Sequence, residues 1–208
     1  VLGTDTAFHL DGGELVFSDW SLRFPTRDMK LTGRHMMANA LAAVGSALLM
    51  GVPPGLVGPV LADFGGLPHR MSYCGEVRGV RYYDDSKATN VGSVEGSLAG
   101  WESPYVLLLG GRHKGAPYTP LIPVLKKRCR AVVVLGESAA LIRADLERDL
   151  PVHDAASFDD AVHLAATLAQ PGDAVILSPA CSSYDMFDNY KQRGARFTEL
   201  VRQLSPGS

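Results

Sequence analysis

Little in this sequence points to membranes, disulfides or nucleic acid. Cysteine occurs three times (Cys74, Cys129, Cys181), with no CxxC and no paired spacing. An odd, scattered set reads as reduced thiols of a cytoplasmic protein, not a disulfide framework. The formal net charge is only −2, which gives no electrostatic reason to expect nucleic acid or an anionic membrane as partner. Long apolar runs are missing too. The most apolar stretch, Met36 to Met50, contains Asn39 and Ser46 and soon meets Gly51, Pro53 and Pro54, so no membrane insertion is expected. Val1 to Asp5 lacks a signal peptide's basic start and apolar centre. No methionine opens the chain, and the expectation is a piece of something longer.

What is present suits a globular chain of one large domain or one and a half: 208 residues, 46% hydrophobic and 20% charged. Gly12-Gly13 separates two short alternating runs, a hairpin pattern, and another short strand follows by about residue 31. Met37, Leu41, Val44, Leu48 and Leu49 then fall at helical spacing up to Gly51 and Pro53. A second short helix is expected over Leu56 to Phe64. Gly65 to Arg70 breaks the pattern, and the domain boundary is placed there, giving 1–66 and 67–208.

Beyond Arg70 strand and helix alternate. A hairpin-like pair, Tyr73 to Val77 and Arg81 to Asp85, is followed by a helix over Val91 to Leu98. Strands at Tyr105 to Leu109, Ala131 to Leu135, Pro151 to His153 and Ala174 to Leu177 alternate with helices at Leu121 to Cys129, Ser138 to Arg148 and Ser157 to Leu168. A last helix is expected from Tyr184 to Leu204. Short strands apolar on both faces predict an α/β fold: a Rossmann-like, mostly parallel sheet with helices on both faces.

In such a sheet ligands bind outside the carboxyl ends of the strands, and three polar loops follow strands there. The first, Asp84 to Asn90, packs two carboxylates, an ammonium, hydroxyls and an amide into a few residues. Asp84 and Asp85, neighbours on a strand end, should point to opposite faces, whereas Lys87 and Thr89 can face a site together. The second, Gly110 to Gly115, has glycines for close backbone approach and Lys114 as a point charge suited to a carboxylate. It is neither a GxGxxG fingerprint nor a P-loop. The third, Ser178 to Ser183, leads into the last helix, whose N-terminus would bind an anion. Each loop also has a plainer reading: a solvated turn, a basic turn, and a serine N-cap with Tyr190 in the core. Cys181 reads as a packed thiol, since no His–Asp pair is placed to activate it. Together the loops suit a small dianion.

Gly33-Arg34-His35 with Asn39-Ala40, Gly66 to Arg70, Asp84 to Asn90, Leu108 to Gly111 with Lys114-Gly115, and Leu177 to Ser183 with Phe187, Tyr190 and Gln192 to Gly194 come in the order of the Mur ligases. The chain resembles that family through nearly its whole length. DSKATN and SPACSS are similar to the branch that adds D-glutamate. The resemblance implies an ATP-dependent, ADP-forming ligase of peptidoglycan synthesis in the cytoplasm, joining D-glutamate to UDP-N-acetylmuramoyl-L-alanine through an acyl phosphate.

It further implies that residues 1–66 are the end of a central ATPase domain and that 67–208 are the Rossmann-like C-terminal domain. By position, Asn39 and Arg70 would contact the ATP base and phosphate region, and Asp85 the ribose. Lys87, given the catalytic role, would surround D-glutamate with Thr89, Lys114, Ser183 and Tyr190, the last through its backbone. No metal ligand is assigned; those for Mg2+ would lie with the missing N-terminal and central domains. Three positions depart from the family pattern: Met36 stands where an Asn is usual, Tyr190 where phenylalanine is, and Tyr184 replaces an aliphatic residue. No GxxxxGK[ST] occurs, so the chain alone is expected to be inactive. The alternative is a non-catalytic ligand-binding or interaction module that keeps the fold; a dinucleotide-dependent oxidoreductase is disfavoured by the missing fingerprint.

Overall fold

The computed structural model describes residues 7–30 and 34–204. The chain divides into two compact units, Val1–Gly66 and Leu67–Ser208.

In the first unit β1 (Phe8–Asp11), β2 (Glu14–Phe17) and β3 (Leu22–Pro25) form an antiparallel sheet in that order. Asp11 faces Glu14 across a two-residue turn in which Gly12 and Gly13 have φ of 55° and 82°. That double left-handed turn matches the strands' own twist. The helix α1 (Arg34–Leu49) lays Met37, Leu41, Val44 and Leu48 against Leu15 and Phe17. Leu49, expected on the same stripe, is 71% exposed. One more helix, α2 (Val57–Asp63), completes the unit.

The second unit holds β4 (Ser72–Val77), β5 (Val80–Asp84), β6 (Tyr105–Gly110), β7 (Cys129–Leu135), β8 (Val152–Asp154) and β9 (Ala174–Leu177). They form one sheet in the order β4-β5-β9-β6-β7-β8. β4 is antiparallel to β5, and every other pairing is parallel. Every residue of β6 is buried, because helices cover both faces. α3 (Val91–Leu98), α4 (Ile122–Arg128) and α5 (Ala139–Leu146) pack with Leu107 and Leu109. α6 (Phe158–Leu168) and α7 (Tyr190–Leu204) pack with Val106 and Leu108. Each such fully buried leucine or valine stabilises the fold by roughly 1.5–3 kcal/mol. The mostly parallel α/β sheet expected from the sequence is therefore what forms.

Helix ends follow local chemistry. Asn90 caps α3 by accepting from the Ser93 N–H, and Ser157 caps α6 by accepting from the Asp160 N–H. The last helix begins at Tyr190, not at Tyr184. Residues 183–189 are tied up in turns: the Ser183 carbonyl accepts from the N–H groups of Met186 and Phe187. The Asn189 side chain accepts from Lys191 and Gln192 and starts the helix there. Ser183 is thus not at a helix N-terminus, and the anion site expected on that ground does not form.

Among the described residues no helix is long and apolar enough to cross a membrane.

Candidate active site at the carboxyl edge of the sheet

β9 is inserted between β5 and β6, so the loops that follow these three strands sit side by side on one edge of the sheet. The backbone stitches them together. Arg112 and Ser182 pair as an antiparallel bridge, the Gly110 N–H donates to the Pro179 carbonyl, and the Ala180 N–H donates to the Ala88 carbonyl. Gly111 permits this approach, since a Cβ there would lie 2.2 Å from the Ser182 carbonyl oxygen.

Beneath the loops lies a buried polar floor. The Arg193 guanidinium, 1% exposed, donates through Nε to Ser86 Oγ and through Nη2 to the carbonyls of Ser86 and Cys181. Ser86 in turn donates from Oγ to the Tyr190 carbonyl. Burial pulls Arg193 down to about 10, which leaves it charged at neutral pH. The two aspartates diverge as expected. Asp84 takes its Oδ2 to within 2.6 Å of His69 Nδ1 and accepts from the Ser86 N–H through Oδ1. Asp85 accepts from the Met71 N–H and from Ser178 Oγ. Burial pushes the Asp85 carboxyl up to about 6, and the Ser178 hydroxyl opposes that shift.

Above the floor, a cavity of about 410 Å³ opens between His69, Arg70, Lys87, Tyr190 and Lys191, rimmed by Leu67 and Pro68. Lys87 Nζ lies 4.2 Å from the centre of the Tyr190 ring, a cation–π contact. His69 meets the same ring edge-on at 5.8 Å. His69 and Met71 have φ of 66° and 47°, left-handed values that cost a non-glycine residue about 1–2 kcal/mol each. Away from the cavity wall, Lys114 Nζ donates to Thr89 Oγ1 at 3.0 Å.

The predicted residues thus fall into groups. Lys87, Tyr190 and Arg70 share the cavity, and Thr89 and Lys114 meet each other. Ser183 is buried, 2% exposed. Tyr190 contributes its ring, while its carbonyl is already taken by Ser86. Asp85 is 3% exposed and engages both its oxygens inside the fold. Asn39 belongs to the first unit, where with Met36, Ala43 and Val60 it lines an apolar groove of about 560 Å³. Arg34 and Gly33-His35, quoted above for the resemblance, lie outside the residues whose side chains are described. Cys181 is fully buried and hydrogen-bonds Tyr118 Oη and Ser138 Oγ; burial pushes its thiol up, as fits a packed thiol.

Sequence reasoning included Arg193, Ser86, His69 and Asp84 in the motifs of the resemblance but gave Arg193 and Ser86 no role and did not pair His69 with Asp84. A signal for Arg193 was present. It falls in the same inward stripe of α7 as Tyr190 and Phe197, where a charge must find buried partners.

A family model for the Mur ligase glutamate ligase domain matches residues 69–181. The chain belongs to the Mur ligase family. Its likeness to individual members is substantial: it is 44% identical over 186 residues to a UDP-N-acetylmuramoylalanine–D-glutamate ligase of Geotalea daltonii, covering 89% of this chain and 41% of that protein. The enzyme of the same name from Salinibacter ruber is 46% identical over 181 residues, 86% of this chain and 39% of its own length. The chain therefore spans about two fifths of these Mur ligases. In fold it is similar to a pseudomurein peptide ligase type C from Methanothermus fervidus, with a TM-score of 0.70 at 14% identity over 95% of this chain and 41% of that one.

Proposed function

We propose that this chain supplies the amino-acid-binding part of a cytoplasmic ligase that joins D-glutamate to UDP-N-acetylmuramoyl-L-alanine, as an ATP-dependent, ADP-forming step of peptidoglycan synthesis. The supporting observation is one edge of the sheet that gathers Lys87, Thr89 and Lys114, cations and a hydroxyl suited to a dicarboxylate, in a chain similar to ligases of that name. In this reading 1–66 is the end of the family's central domain and 67–208 its C-terminal domain.

A carboxylate is a poor electrophile, and ATP, when bound, supplies the phosphoryl group that turns it into an acyl phosphate. The residues of this chain then work by placement. Lys87 and Lys114 hold the two carboxylates of D-glutamate, with Thr89 fixing the direction of the Lys114 ammonium and Tyr190 that of Lys87. Each charge-assisted hydrogen bond of this kind is worth roughly 1.5–3 kcal/mol. Holding the amine against the acyl carbon is catalysis by orientation.

For ATP, the residues present fit in part. Arg70 is exposed in the cavity wall and suits a phosphate. The Asp85 carboxylate already serves Met71 and Ser178, so a ribose contact would use its remaining lone pairs. Among the described residues no three His, Cys, Asp or Glu side chains cluster as a metal site, and in this reading the Mg2+ ligands are carried in the part of the relatives' length that this chain does not match. The sequence holds no GxxxxGK[ST], so phosphoryl transfer would use groups carried in the part of the relatives' length not matched by this chain.

Mixing the chain with the N-terminal part of such a ligase tests the proposal. D-glutamate-dependent phosphate release is expected, from neither part alone. No release at any ratio would count against it.

A further inference from the structure

We propose that His69 is the proton acceptor for the attacking amine, and that Asp84 is the positioning residue that aims it; this rests on the ligase reading above. The imidazole forms part of the cavity wall, its side chain 20% exposed while that of Asp84 is 3% exposed. Nδ1 lies 2.6 Å from Asp84 Oδ2. An ionised carboxylate only accepts, so the ring proton sits on Nδ1 and Nε2 keeps its lone pair. No partner takes Nε2 among the described residues, and it is not a buried orphan atom.

The pair is held from every side. Asp84 Oδ1 accepts from the Ser86 N–H at 2.8 Å, which stops the carboxylate from swinging. The His69 carbonyl accepts from the Lys87 N–H at 3.0 Å. The Tyr190 ring braces the imidazole edge-on. Gly194 leaves the space for all this: a Cβ there would stand 2.3 Å from His69 Nδ1 and 2.4 Å from Asp84 Oδ2. A left-handed backbone at His69, with φ of 66°, sets the ring's direction. Strain of that kind clusters where a side chain must be aimed.

The cavity offers no better acceptor. Arg70, Lys87 and Lys191 are donors in their charged forms, and the Asp85 oxygens already serve Met71 and Ser178 inside the fold. The three cations oppose an imidazolium in the same cavity, while Asp84 is the carboxylate against the ring that favours it.

The chemistry balances. The ammonium of D-glutamate has no lone pair, so it gives one proton to His69 Nε2. The amine then forms the C–N bond to the acyl carbon and the C–O bond to phosphate breaks. The second nitrogen proton leaves with the phosphate as hydrogen phosphate, and the imidazolium returns its proton to solvent.

Nitrogen NMR of the His69 ring in the 208-residue chain tests this. A protonated Nδ1 and a bare Nε2 are expected in the free chain, and Asp84→Ala should mix the two tautomers. D-glutamate should shift the Nε2 signal. If the proton sits on Nε2, or if D-glutamate shifts Thr89 and Lys114 while leaving Nε2 untouched, the proposal falls and the ligase reading stands. If D-glutamate moves no signal, both fall. In the ligase restored with its N-terminal part, His69→Gln should lower kcat by about 10²–10⁴-fold, remove the acidic limb of the pH profile and leave KM for D-glutamate little changed. An unchanged pH profile would overturn the proposal.

Discussion

The carboxyl edge of the second unit treats charge in opposite ways at two depths. In the floor, Arg193, Asp84 and Asp85 are buried and tied to neighbours by hydrogen bonds. In the face above, Arg70, Lys87, Lys114 and Lys191 form no ion pair among the described residues. Arg112 on the same edge, and Lys126, Arg130, Arg143 and Arg196 elsewhere in the unit, have carboxylate partners, while Arg78, Arg81, Lys127, Arg128, Arg148 and Arg202 form no ion pair among the described residues. What sets Arg70, Lys87 and Lys191 apart is that they share one cavity. The floor ties the loops together, and the face is left with positive charge, which in the proposed function would meet an anion. Stability and ligand binding should therefore respond to different substitutions.

Arg193→Ala attacks the floor hardest. It strips the partners from two buried carbonyls and Ser86 Oγ and leaves a cavity, so a loss of about 3–5 kcal/mol is expected by denaturant unfolding. A loss below about 1 kcal/mol, the size of one ordinary hydrogen bond, would mean that Arg193 does not hold the loops.

Asp85 gives the floor a pH dependence. Its carboxyl is raised from 3.8 to about 6 in the fold, so the stability tied to its protonated form is fully present below 3.8 and lost as pH rises through about 6. That shift corresponds to a slope summing to about 3 kcal/mol. Asp85→Asn should flatten it in a pH series of melting curves. An unchanged slope would place the pH dependence elsewhere.

Gly194→Ala tests the close packing. Its Cβ would overlap His69 and Asp84, costing about 1–3 kcal/mol, against a helix-propensity gain of up to about 1 kcal/mol. Net destabilisation is expected, with the His69–Asp84 contact lengthened in a crystal structure of the variant.

Much of this unit could be read in advance because its strands are short apolar runs and its helices carry clear periods. β6 and β9, buried on both faces, needed no more than Tyr105 to Leu109 and Ala174 to Leu177. The Ser157 cap with Asp160 three residues on fixed the start of α6. The start of α7 was misplaced because Phe187 and Tyr190 keep the helical spacing through a stretch whose carbonyls serve turns. Asn189 with Gln192 three residues on was the cap signal that outranked it. For the site, Lys87, Thr89 and Lys114 stood out as polar groups after strands. The floor did not, because Arg193 reaches Ser86 only through a tertiary contact across 107 residues of sequence. The cavity's dependence on His69 was equally hidden, since its partner Asp84 lies on the next strand but one.

Lys114→Ala is the smallest perturbation of the fold. Lys114 is exposed and, among the described residues, hydrogen-bonds Thr89 alone, so stability should stay within about 0.5 kcal/mol of the parent. It also gives the most direct measurement. Calorimetric titration of D-glutamate into the chain and into Lys114→Ala and Thr89→Ala, with L-glutamate as control, separates the two depths. Weak binding of D-glutamate by the parent, weaker still or absent in both variants at unchanged stability, is the expected result. Equal binding by parent and variants would contradict the assignment of this edge as the D-glutamate site.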